Sequence, residues 1–306
     1  MCRKSNPKRE GKIDMAEFAK VGAQQIGFLV LGTILMIVVP LVIAIIWTKK
    51  KKERFTTVLV GAATFLLFAV ILEKPLQAVL IAPTQMGLAD TGISQFINAR
   101  PILWAFIVGL FPGVFEETGR LVAYKTVLKK RKNRETSISH GIGHGGFEVI
   151  FIVGITYATY IAYAVMINTG TFGTVVDQVM TQAPDQADVL MTVASGIASF
   201  SFPNLCIGIM ERIFAVLFHI GASIIVFYAC KDKGRLWLYP LAILIHTAMD
   251  FIAGLTTVGV WKLPVWALEG IIAIFGVLTF CGAFFLLYKK DKIEVEQLNA
   301  VIADSR

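Results

Sequence analysis

Seven apolar runs, each long enough to cross a lipid bilayer, constrain this chain more than any other feature of its sequence. They cover roughly 26–47, 55–72, 101–124, 137–166, 205–229, 236–256 and 265–288. About 18 consecutive apolar residues suffice to span the hydrocarbon core. Inside that core every backbone N–H and C=O must be paired within its own segment, so the runs are read as helices. Composition agrees: 56% of residues are hydrophobic and 16% charged, whereas a soluble domain is closer to a quarter charged. The expected fold is an all-α, polytopic transmembrane helix bundle.

The charges sort by loop. KKKKER at 49–54, six Lys/Arg within 125–134, KDKGR at 231–235 and KKDK at 289–292 alternate with three loops, 73–100, 167–204 and 257–264, that together hold only Lys74, Arg100 and Lys262. Basic loops stay in the cytoplasm. Seven spans with the N-terminus outside and the C-terminus inside satisfy that rule. The net charge of +8 is therefore a topology signal, and nucleic acid is not an expected partner. The N-terminal tail disagrees, since its six Lys/Arg would lie outside. A start at Met15 would leave only MAEFAKVGAQQ ahead of the first span.

The expected organisation is a polar tail at 1–25, a transmembrane domain at 26–288 and a cytoplasmic tail at 289–306. Residues 76–100 and about 35 residues after Met166 read as loops. The first span follows a long polar tail and lacks a small-residue cleavage site, so it is read as retained rather than as a signal peptide. The terminal ADSR carries no lipidation motif. The four cysteines, Cys2, Cys206, Cys230 and Cys281, have no CxxC spacing and read as free thiols. A multi-pass protein of the cell membrane, in contact with lipid, is the expectation.

Ionisable groups inside apolar spans are costly, and each is a functional candidate. Glu116, Glu117 and Arg120 lie in the third span, and His140, His144 and Glu148 open the fourth. Glu211, Arg212 and His219 lie in the fifth, with His246 and Asp250 in the sixth. All four histidines fall within spans. At 1.5 Å per residue, Glu117, His144, His246 and His219 lie about 12, 10, 15 and 18 Å from the cytoplasmic ends of their helices, and Asp250 about 20 Å. Four helices thus bring titratable groups to overlapping depths in the cytoplasmic half.

Spacing adds chemistry. Arg120 can pair with Glu116 at i, i+4 or Glu117 at i, i+3, which leaves the other carboxylate free to face the interior. His140, His144 and Glu148 form an i, i+4, i+8 stripe. His246 and Asp250 stand one turn apart, so a carboxylate can fix the tautomer of that histidine. Two histidines at i, i+4 is a zinc-helix spacing, but no Glu follows the first, so this is not HExxH. GIGHGG matches GxGxxG by letter only, because no strand precedes it. Its glycines are read as surfaces for close helix approach. Each cluster taken alone is equally explained as a neutralised group that pins helices together. Glu211 and Arg212 read as structural groups paired with other polar residues, and the isolated Glu269 reads as structural.

Taken in order, EExxR (Glu116, Glu117, Arg120), HxxxHxxxE (His140, His144, Glu148), ERxxxxxxH (Glu211, Arg212, His219) and HxxxD (His246, Asp250) resemble the YhfC-type intramembrane metalloproteases. These belong to the wider group of type II CAAX prenyl proteases, bacteriocin-processing proteases and PrsW-like proteases. The resemblance spans about 100–255. It departs from the wider group's EExxxR and late HxxxN in the nearer Arg120 and in Asp250. It implies an endopeptidase acting on membrane proteins, peptides or lipid-modified substrates from the cytoplasmic side. One of Glu116 and Glu117, with Glu117 favoured, would activate water. Arg120, His144, His219, His246 and Asp250 would complete the catalytic set, supported by Glu148, Glu211 and Arg212. A metal, Zn2+ by expectation, would be held among His140, His144, His219 and His246. A metal-free Glu/His mechanism is equally compatible. Two other classes compete: a non-catalytic membrane scaffold or receptor, and a cation- or proton-coupled transporter. The absence of an inverted repeat weighs against the transporter.

Overall fold

A computed structural model describes residues 19–291 except 183 and 232. The expected tails at 1–25 and 289–306 lie largely outside the described residues. Among the described residues the backbone is helical and carries no strand. Among these residues seven helices are long and apolar enough to cross a membrane: Ala23–Lys51, Phe55–Ile81, Pro101–Lys125, Glu135–Thr169, Phe202–Lys231, Leu238–Thr257 and Val265–Asp291. The all-α, seven-span expectation therefore holds. We label the helices α1 (Ala23–Lys51), α2 (Phe55–Thr64), α3 (Lys74–Ile81), α4 (Gly92–Asn98), α5 (Pro101–Lys125), α6 (Glu135–Glu148), α7 (Ile155–Thr169), α8 (Phe172–Gln182), α9 (Pro184–Ala198), α10 (Phe202–Lys231), α11 (Leu238–Thr257) and α12 (Val265–Ala283).

Two stretches expected to be loops contain helices. The second span, which the sequence allows to run on past Glu73, Lys74 and Pro75, does so and reaches Ile81. A π-helical segment, Phe65–Glu73, joins α2 to α3 and places Pro75 in the first turn of α3, where a missing N–H costs little. Short α4 follows, closed by a capping box between Thr91 and Ser94. Within 167–204 lie α8 and α9. In α9 the buried Ala187, Leu190, Ala194 and Ile197 recur at helical intervals, a pattern thinned in the sequence by the small and polar residues among them.

Contacts divide the chain into two compact units. One joins the described part of Met1–Ile34 to Gly154–Leu205. In it α8 and α9 pack on each other and on α7. The side chain of Asn168 pairs with both backbone groups of Val21, accepting at 2.9 Å and donating at 2.8 Å.

The other unit comprises the described part of Leu35–Val153 and Cys206–Arg306. In it α5 packs along α11 and α2 along α6. Small residues make both possible. A Cβ at Gly109 would meet the backbone of Asp250 and Phe251 within 3.0 Å. Gly61 and Gly143 set α2 directly against α6, so that a side chain at either would strike the backbone of His140 or Val58. Such contacts replace the hydrophobic drive that lipid cannot supply between helices. Pro112 inside α5 cannot donate to the carbonyl of Val108. The Gln77 amide donates there instead, at 3.3 Å.

Candidate active site

The polar residues meet where α5, α6, α10 and α11 converge. Arg120 is the hub. It is wholly buried and can only donate, through five N–H groups in a planar fork. One terminal nitrogen donates to Glu117 Oε1 at 2.5 Å, and the other lies 2.7 Å from His219 Nδ1 and 3.7 Å from Glu116 Oε2. Its Nε donates to Ser223 at 3.3 Å.

These bonds assign protons. Because Arg120 donates, His219 Nδ1 accepts, and the ring proton sits on Nε2, which contacts Glu148 Oε2. Arg212 holds the other oxygen of Glu148 at 2.9 Å and also pairs with Glu211. Thr64 spends its hydroxyl proton on the Val60 carbonyl, so it accepts from His140 Nε2 at 3.3 Å. His140 Nδ1 then accepts from Ser223 at 3.2 Å. A relay from Arg120 through Ser223 and His140 to Thr64 is thereby satisfied at every atom, which is what a buried polar network requires.

The expected residues therefore divide. Glu116 Oε2 lies 2.9 Å from His144 Nε2 and 3.8 Å from His219 Nδ1. Glu116, His144 and His219 form a buried group whose ligand atoms lie within 4.8 Å of one another, and it could hold a metal ion. His140 stands outside this group, both its nitrogens committed to hydroxyls. His246 Nδ1 lies 2.8 Å from Glu117 Oε1, with Nε2 3.5 Å from Asp250. His246 is not brought into the Glu116 group. The histidine rings adjoin one another, His144 and His219 tilted with centroids 4.9 Å apart and His219 and His246 edge to face at 5.8 Å.

A cavity of about 480 Å³ reaches the group, lined by Glu116, Glu148, His219, His246 and Asp250 among others. Glu117 is not among its lining residues and is fully buried behind Arg120 and His246. The π-helical segments Phe65–Glu73 and Val149–Gly154 both border this region. A π turn absorbs an extra residue and so resets the helical face, and such turns recur at functional sites. The first follows Thr64, the second follows Glu148, and Phe65 and Phe151 line the cavity.

The model of the YhfC intramembrane metalloprotease family matches residues 35–275. The chain belongs to this family. A relative described as "Uncharacterized membrane protein YhfC", from Bacillus subtilis (strain 168), is 30% identical over 261 residues, covering 85% of this chain and 95% of its own length. No solved structure matches. Membership agrees with a multi-pass membrane protein. Sequence reasoning about the family's motifs missed Thr64, Glu73 and Lys74. Lys74 lines the cavity and pairs with the fully buried Glu73 at 2.8 Å. For Glu73 and Lys74 the signal was a charged Glu-Lys-Pro step within an apolar run.

The group fits a divalent ion by donor type. One carboxylate and two imidazoles are a common zinc set, and His144 Nδ1 is a buried polar atom with no hydrogen-bond partner. One condition attaches: Arg120 must give up His219 Nδ1 before an ion can use that nitrogen.

Proposed function

We propose that this chain is an intramembrane endopeptidase of the cell membrane, hydrolysing peptide bonds of membrane-associated substrates at the centre formed by Glu116, His144 and His219. The observation that carries this reading is the closeness of those three buried groups to one another beside a cavity inside a membrane bundle. A bilayer excludes water, so a polar cavity among helices is the place to bring water to a peptide bond.

Where no ion is held, Glu116 is the group placed to take a proton from a water in the cavity. This departs from the sequence-based preference for Glu117, and the support is positional: Glu116 lines the cavity, whereas Glu117 is spent on Arg120 and His246. His144, 2.9 Å from Glu116, orients that carboxylate. Glu117 holds His246 through Nδ1, which turns Nε2 toward the cavity side and Asp250, where it can deliver a proton to a leaving amine. Arg120 keeps the two carboxylates apart in role by binding Glu117 more closely than Glu116.

Glu116, His144 and His219 would hold a zinc ion, which when bound supplies Lewis acidity to a water and to the scissile carbonyl. A second, metal-free reading is favoured by one observation, the donation from Arg120 to His219 Nδ1. Elemental analysis of the purified protein, with cleavage of a membrane-spanning peptide measured in chelator, separates the two. In either case Glu116→Gln and His144→Ala should abolish cleavage in detergent while the protein still melts cooperatively. Unimpaired cleavage by both variants would reject the site.

A further inference from the structure

We infer that the site is reached from the face of the membrane opposite the basic loops, so that water and the scissile segment of a substrate enter from the extracytoplasmic side. The inference rests on the proposed site and concerns its access.

The direction can be read helix by helix. On α5 the cavity runs from Glu116 back to Val108, on α10 from His219 back to Glu211, and on α11 from His246 forward to Thr257. The basic ends of these helices are Lys125, Lys231 and the residues just before Leu238. On all three the cavity leads away from the basic end. Phe151 and Ile152, beyond Glu148, extend it in the same sense, as does Lys74 beyond Phe65. Thr257 is exposed at the far end of α11.

Toward the basic end the path from the site is closed, and the cavity lined there by Trp47, Lys51, Arg134 and Lys289 does not reach the site residues. Tyr124, Phe227 and Leu238 are buried in one hydrophobic cluster, with the rings of Tyr124 and Phe227 5.4 Å apart. Just beneath it the Ser223–His140–Thr64 relay is buried and fully bonded. The site is nearer this closed end. Glu116 is nine residues from Lys125, about 14 Å along the helix, and about 22 Å from Pro101. The longer path is the open one. Depth alone points to the cytoplasm, and packing reverses it. With basic loops held in the cytoplasm, the open end faces outward, and the substrate class is a membrane protein cut in its outer leaflet half or just outside it.

Cysteine accessibility in intact cells tests this directly. The full chain, with Cys2, Cys206, Cys230 and Cys281 replaced by serine or alanine, would carry one new cysteine at a time and be treated with a membrane-impermeant thiol reagent. Lys262→Cys and Lys130→Cys report the two faces independently of any cavity. Ala253→Cys, inside the cavity, and Thr257→Cys, at its mouth, should be modified from outside together with Lys262→Cys, whereas Lys130→Cys reacts only after permeabilisation. Ala253→Cys protected from outside while Lys262→Cys reacts would overturn the access route. Lys130→Cys reacting in intact cells would overturn the orientation. Neither result depends on cleavage, so failure of the protease reading would appear separately, as an inactive purified protein with an outward-open cavity.

Discussion

Arg120 and His219, ninety-nine residues apart in the chain, meet at 2.7 Å in the bundle interior. Arginine has no acceptor, so the contact sets the tautomer of the histidine and turns its N–H toward Glu148. The same guanidinium holds Glu117. Removing it leaves two buried carboxylates without their cation. Arg120→Ala should lower stability by about 3–5 kcal/mol, measurable as a fall in thermal midpoint in detergent. Arg120→Lys should recover only part of this, because an ammonium cannot serve Glu117, His219 and Ser223 in fixed directions.

The two histidines of α6 should behave differently toward metal. His144 faces Glu116, whereas His140 is bonded to Thr64 and Ser223. Zinc titration of the purified protein should show binding lost in His144→Ala and retained in His140→Ala, with the second variant weakened in stability instead. Equal loss in both would show that the α6 stripe binds as a unit.

Gln77 and Pro112 should be energetically coupled. The proline frees the Val108 carbonyl, and the glutamine amide occupies it. Gln77→Leu should cost about 1–3 kcal/mol by leaving that carbonyl unpaired. In a Pro112→Ala background the helix can donate for itself, and the same change should cost much less. A double-mutant cycle in thermal stability measures the difference.

Close packing of α2 on α6 depends on the absence of a side chain at Gly143. Gly143→Ala would drive a methyl into the Val58 backbone and should destabilise by about 1–3 kcal/mol. Gly270→Ala, with nothing within 4 Å of the added carbon, should be neutral or stabilising by up to about 1 kcal/mol. Parallel melts of the two variants make the comparison.

Much of this was legible in residue type and spacing. The seven spans follow from hydropathy, because lipid leaves the backbone no alternative to helices. That polar groups on α5, α6, α10 and α11 share a level follows from counting along helices of known rise. The expectation that the GIGHGG glycines admit close neighbours is met by Gly141 against Ile220 of α10 and by Gly143 against Val58 of α2. Helices α8 and α9 were not legible as such, because their apolar stripe is thin and interrupted by small and polar residues. The continuation of the second span past Glu73, Lys74 and Pro75 was open in the sequence, but the π-helical register shift that carries it is announced by no local preference.

The sequence alone determined the architecture, the membrane environment and the roster of titratable groups, since each is set by one-dimensional quantities: apolar length, loop charge and helical period. Only the tertiary structure decided how that roster divides. Which carboxylate faces the cavity, which histidine joins Glu116 and which is sealed into the Arg120 relay are questions of side-chain direction. Hydrogen-bond geometry between helices far apart in sequence answers them, through an arginine that can only donate. The end at which the bundle opens was decided the same way, by packing rather than by depth.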